Sequence, residues 1–201
     1  MVLNVYYNRR RDADILTLAG VIASGGLGEV WRVHSMMDQD AAATLETGVS
    51  GGLLRELGSH LVDQMLWLRG PATHVHGALD WTDRFGETTD CGLFVTLTHA
   101  SGAVSTVSAS KINHSTTREL RAYGSTGSYI ASGADVQAEA LAAGRRPALE
   151  PDIWGINVPE NWGTLAVAGG RTQVASAQGN YARFYTEFAR TGACRGGSAD
   201  P

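Results

Sequence analysis

Glu56, His60 and Asp63 are spaced so that a helix would bring a carboxylate, an imidazole and a second carboxylate to one side. At about 100° per residue these three and Trp67 fall inside an arc of about 60°. They run beside an apolar stripe about 120° wide made by Leu53, Leu54, Leu57, Leu61, Met65 and Leu68, the pattern of a helix lying on a core. Imidazole suits the removal or return of a hydroxyl proton near neutral pH, and a neighbouring carboxylate can orient it or bind hydroxyls. The same spacing also describes an ordinary i,i+4 Glu–His pair on a solvated helix, so spacing alone leaves both readings open.

Other polar groups compete. His74 and His76 alternate on an expected strand, so both rings share one face and could hold zinc with a cross-strand neighbour such as His99, as in a metal-assisted isomerase or lyase. A third and a fourth ligand are not evident. Lys111 and His114 follow a strand and could approach a cleft, and Arg9-Arg10-Arg11 is either part of a site or a solvated turn. The five tryptophans read as core or interface anchors, with Trp154 and Trp162 able to line a sugar-binding loop.

The elements that must carry these residues follow from periodicity. "LNVYY" reads as a strand, Asp12 to Ala23 as a helix stopped by Gly25, Gly26 and Gly28, and "GEVWRVHSMM" as the next strand. The Gly51 helix ends at Gly70-Pro71. Beyond it come "THVHGALDW", "CGLFVTLTHA", "AVSTVSASKI", "RELRAYG" and "GSYIAS" as strands, with Ser101-Gly102 as a hairpin turn. A short helix over Val136 to Ala143, a final strand near "GTLAVAGG" and a closing helix over Tyr181 to Arg190 complete the order. Helices followed by consecutive strands imply an α+β fold, an open and mostly antiparallel sheet with helices on one face. Residues 1–191 read as one domain and 192–201 as a polar tail.

The 201 residues are 43% hydrophobic and 18% charged, enough for a sizeable core. A formal charge of -4 and no basic block longer than three arginines exclude a nucleic-acid footprint. Cys91 and Cys194 lie far apart without metal or redox spacing, which fits a reducing compartment. No apolar run approaches the roughly 18 residues needed to cross a bilayer, and the N-terminus lacks the order of a signal peptide. A cytoplasmic protein without membrane partners is expected.

The run "GGLLRELGSHLVDQMLWLRG" resembles the Gly-Gly-x-Leu-x-Asp-x-Gly-x-His-x-x-Asp signature of the Gfo/Idh/MocA oxidoreductases, the glucose-fructose oxidoreductase and inositol dehydrogenase family. "YYNRRRDADILTLAGVIASGGLGEV" resembles the segment entering that family's C-terminal domain, and "ELRAYGSTGSY" and "GNYARFYTEFARTG" resemble later stretches in the same order. The resemblance implies a substrate-binding domain whose open sheet face makes homo-oligomer contacts. It implies an NAD(P)-dependent oxidoreductase acting on a sugar, inositol or related polyol. NAD or NADP would be held mainly by an N-terminal Rossmann domain which, with a catalytic Glu-Lys-Pro lysine, precedes the region covered here.

"VIASGGLGEVW", the nearest thing to a dinucleotide turn, leads from a helix into a strand, the reverse of a pyrophosphate cradle. The resemblance therefore assigns no cofactor-binding residue and no metal ligand to this chain, which by itself is not expected to transfer hydride. It makes His60 the candidate general acid/base, or a hydrogen-bond partner of the reacting hydroxyl, in a role the preceding lysine would share or lead, with Glu56 as a second catalytic candidate where the family has Asp. Asn8, Arg10 and Asp63 become substrate-binding candidates, Asp63 also serving to orient its neighbours. A non-catalytic binding or assembly domain is the second reading, and the metal-assisted isomerase or lyase the third.

Overall fold

Alternation of apolar and polar residues along the central strands decides the architecture of this protein, whose computed structural model describes residues 3–133 and 135–195, with side chains through residue 190. The strands are β1 (Val30–Asp38), β2 (Ala72–Arg84), β3 (Glu87–His99), β4 (Val104–Ser110), β5 (Thr117–Gly124), β6 (Gly127–Ser132), β7 (Thr164–Val167) and β8 (Gly170–Gln173). They form one sheet in the order β2-β3-β4-β1-β5-β6-β7-β8. Every neighbouring pair is antiparallel except β1 and β4, which run parallel. This is the open, mostly antiparallel sheet that the sequence implied.

Side chains alternate across a strand, so one face collects Val33, Met37, Leu93, Val95, Leu97, Val107 and Leu120, all buried. Helices α1 (Ala13–Ala23) and α2 (Ser59–Arg69) lie on that face, and Ile15, Leu18, Val21, Leu61 and Met65 enter the same core. Each such fully buried side chain is worth about 1.5–3 kcal/mol. The opposite face carries the cross-strand row Thr96, Thr106, His34, Arg121 and Ile130, of which Ile130 is exposed and the others half-buried. Helix α1 ends as expected: Ser24 N–H donates to Gly20 O, and Gly25 takes φ 76°, which glycine adopts without strain.

The signature helix is not a single regular α-helix. Leu54–Gly58 is one π-helical turn, and α2 follows it directly. Leu53, Leu57, Leu61 and Met65 are buried as expected, but the wider turn rotates Leu54 out of the apolar stripe and leaves it 38% exposed. Gly52 explains how the segment is seated. Gly52 has φ 93°, and a Cβ there would lie 2.0 Å from Asp90 Oδ1, while Asp90 Oδ2 accepts the Leu54 N–H at 2.6 Å. The first turn is thus capped by a carboxylate reaching over from β3. Gly52→Ala is expected to cost at least about 2 kcal/mol, from left-handed backbone strain and loss of this cap. Chemical denaturation checks this, and a loss below about 0.5 kcal/mol would contradict it.

Three other expectations change. "LNVYY" forms no strand, because no neighbour pairs with it; Tyr6 instead packs on Phe184 and Tyr185 at 4.7 and 5.2 Å, and Asn8–Arg11 closes a 3-10 turn. One expected final strand is a hairpin of two, β7 and β8, turned at Ala168 and Gly169. Besides α3 (Val136–Ala142), the closing helix α4 spans Arg183–Arg195, so it enters the region expected as tail. Residues 196–201 and the Cys194 side chain lie outside the described residues. Cys91 is a buried free thiol. No helix of the described residues is long and apolar enough to cross a membrane.

Candidate active site

The 3-10 turn at Asn8–Arg11 lies against the signature helix, tied to it by paired side chains. Arg10 donates twice to Asp63, Nε to Oδ2 at 2.7 Å and Nη2 to Oδ1 at 2.6 Å, a fork-to-carboxylate match with fixed geometry. The hydrogen bond to Asp63 raises the Arg10 pKa. Gln64 Nε2 donates to the Arg9 carbonyl at 2.7 Å, a contact the sequence did not suggest. Arg9 pairs with Asp135 at 2.8 Å and Arg11 with Glu187, so the arginine run is not a freely solvated turn. Asn8, half-buried beside them, makes no side-chain hydrogen bond to another described residue.

His60 stands between these groups. It is half-buried, the ring of Tyr7 meets it edge-on at 5.9 Å, and its Nδ1 is buried without a hydrogen-bond partner among the described residues. Burial, reinforced by the charge of Arg9, pushes its pKa below the ordinary histidine value; Asp63 and Glu56 oppose this shift. The imidazole therefore favours its neutral form, the form that can take a proton.

Glu56 does not pair with His60. Its carboxylate accepts from Lys111 Nζ at 2.5 and 2.6 Å, and Lys111, 1% exposed, also donates to Thr44 Oγ1 at 2.9 Å. The helical i,i+4 pair is lost because the π-turn places Glu56 on a different bearing. Behind Arg9 lies a second charged group: Arg118 binds Asp12 and Asp14, and the Tyr181 hydroxyl lies 2.6 Å from Asp12 Oδ1 and 2.9 Å from both Asp135 oxygens. Only tertiary folding gathers these residues, which are up to 169 positions apart.

A cavity of about 530 Å³ is lined by Tyr7, Arg10, Arg11 and Phe184, and another of about 340 Å³ by Arg9, Arg118, Asp135 and Glu139. His60, Glu56 and Asp63 are not among their lining residues, although Arg10, the partner of Asp63, lines the first. Trp162 lines a third cavity on the open sheet face and Trp154 a fourth, beside α3, although Trp154 is largely buried and its Nε1 donates to Gln137 Oε1 at 3.1 Å.

The zinc geometry does not assemble. His74 and His76 are exposed, and His99 points to the opposite face, where its Nδ1–H donates to Gly70 O at 2.9 Å and its Nε2 accepts from Ser105 Oγ at 2.8 Å. Among the described residues no group of three His, Cys, Asp or Glu could hold a metal ion. The Gly25–Gly28 turn and the start of the signature helix do not fit a nicotinamide dinucleotide's pyrophosphate either. Gly25 to Gly28 close the C-terminal end of α1, and Asp90 already occupies the Leu54 amide at the start of the signature helix, where it would repel a phosphate.

Residues 15–130 match the GFO/IDH/MocA C-terminal domain. The chain belongs to the Gfo/Idh/MocA family. It is 31% identical to the scyllo-inositol 2-dehydrogenase (NADP(+)) IolW of Bacillus subtilis, over all of this chain and 57% of that protein. It is 30% identical to the uncharacterized oxidoreductase YdgJ of Escherichia coli, over 92% of this chain and 54% of that one. The solved structure of Bacillus subtilis yvaA superposes with a TM-score of 0.83 at 30% identity, covering all of this chain and 57% of the other. The chain spans about half the length of the curated relatives it matches.

Proposed function

We propose that this chain is the substrate-binding and oligomerisation part of an NAD(P)-dependent oxidoreductase acting on a sugar, inositol or related polyol. The observation that carries the reading is the helix from Leu54 to Arg69, which presents a half-buried, neutral-leaning His60 beside the Arg10–Asp63 pair and the Asn8 turn. The oxidation needs a hydroxyl proton removed and a hydride accepted; the nicotinamide, held by another part of the protein, takes the hydride. His60 takes or returns the proton. Asn8 and Glu56 bind hydroxyls, and Asp63 with Arg10 holds the turn in place against the helix. IolW, acting on scyllo-inositol with NADP(+) by its name, supports the polyol class.

The full-length protein, given scyllo-inositol, myo-inositol and a panel of aldoses with NAD+ or NADP+, is expected to reduce the cofactor with at least one of them. No reduction with any polyol or sugar would sink the reading. The sheet face opposite α1 and α2, with Phe94 49% and Ile130 40% exposed, supports assembly of subunits through it. Sedimentation is expected to show a dimer or larger species, and a monomer at micromolar concentration would contradict that part.

A further inference from the structure

Lys111 is the only lysine in the chain; the other basic residues are all arginine. It sits just past the end of β4, at 1% exposure, where an unpaired ammonium would be costly. Its donors are met by Glu56 Oε1 and Oε2 and by the hydroxyl of Thr44, in the turn Ala42–Thr44. The compact ammonium can serve all three acceptors at once, which the planar fork of an arginine cannot do in the same space. Glu56, by contrast, reaches the surface with 42% of its side chain exposed. The pair is asymmetric: a buried cation, anchored from the end of a strand and from a turn, holds a carboxylate at the protein surface. Each carboxylate oxygen bound to Nζ keeps a further acceptor position for a hydroxyl donor.

We propose that Lys111 is a positioning residue which, with Thr44, fixes Glu56 as a two-pronged acceptor for substrate hydroxyls, separate from proton transfer at His60. This rests on the reading above that Glu56 and His60 share a substrate site. In the full-length enzyme assayed with scyllo-inositol and NADP+, Lys111→Met is expected to raise KM for the polyol about tenfold while kcat changes less than about threefold. Glu56→Gln is expected to do the same, and the double variant to be no worse than either single one. A KM unchanged by Lys111→Met, or effects that multiply in the double variant, overturns the proposal, provided His60→Ala is inactive. A fully active His60→Ala enzyme, or no oxidation at all, defeats the reading of the site instead.

A second readout needs no turnover. In this chain labelled with 15N-lysine, Lys111 gives the only lysine ammonium signal. Its protons are expected to be sheltered from water, and the signal to broaden away in Glu56→Gln and in Thr44→Val. A wild-type signal that exchanges like a free lysine, or one untouched by both variants, overturns the assignment, and these variants serve if Lys111→Met does not fold.

Discussion

His60→Ala in the full-length enzyme is expected to lower kcat about 10²–10⁴-fold, the usual contribution of a positioned acid or base. The argument starts from packing. Leu57, Leu61 and Met65 seat the helix on the sheet, so His60 is held at its edge, beneath the Tyr7 ring and near Arg9. Its side chain makes no hydrogen bond through Nδ1, so the substitution is expected to change stability by no more than about 1 kcal/mol. Steady-state turnover together with thermal unfolding tests both halves, and turnover within threefold of wild type would remove His60 from the chemistry.

The pH dependence has a definite sign. Burial and Arg9 lower the His60 pKa, so the neutral base persists below 6.5 and the acid limb of kcat/KM is expected below that value. The same shift acts on folding. The unfolded chain binds the proton more readily than the native one, so this group's contribution is present above 6.5 and is lost as pH falls through that region.

Arg118→Met is expected to cost about 3–5 kcal/mol, the penalty for leaving buried carboxylates without their cation. Arg118 donates to both oxygens of Asp14, at 2.7 and 2.8 Å, and to Asp12, and its Nη1 lies 3.9 Å from Asp135. Burial opposes the guanidinium charge, yet Asp14 and Asp12 hold its pKa well above the ordinary value. Set against a typical total stability of about 5–15 kcal/mol, the loss is large. Urea unfolding at pH 7 measures it, and a change below about 1 kcal/mol would show that Arg9 and Tyr181 suffice to hold the acids.

The acids in this network respond to pH in opposite directions. Burial raises the Asp12 carboxyl against the pull of Arg118, so its contribution is present below about 3.8 and declines as pH rises through the raised value. Asp135, half-buried, is nonetheless held below its ordinary value by the Ala138 N–H, Arg9, Arg118 and Tyr181. Its contribution is present above 3.8 and is lost as pH falls. Arg118 lowers both groups, so removing it favours their protonated forms. The deficit of Arg118→Met is therefore expected to be smaller at pH 4.5 than at pH 7, and an equal deficit at both would contradict the network.

Periodicity and turn residues made much of the fold readable. Strands with alternating apolar residues, such as "LFVTLTH", have one face to bury, and Gly25, Gly70 and Ser101-Gly102 stop elements locally, so neighbours in sequence suffice to place them. The signature from Gly51 to Asp63 was legible as a helix beside a polar row for the same reason. The charge partners were not. Glu56 reads as the companion of His60 at four residues' distance, but a π-turn and a lysine 55 positions away decide otherwise. Arg10 reads either as a site residue or as part of a solvated turn, and its pairing with Asp63 emerges only from the fold. Local sequence determines which side chains an element can bury, because backbone geometry repeats every few residues. Which charge meets which is decided only when the sheet and helices close, because a buried ion must find its partner wherever the fold brings one.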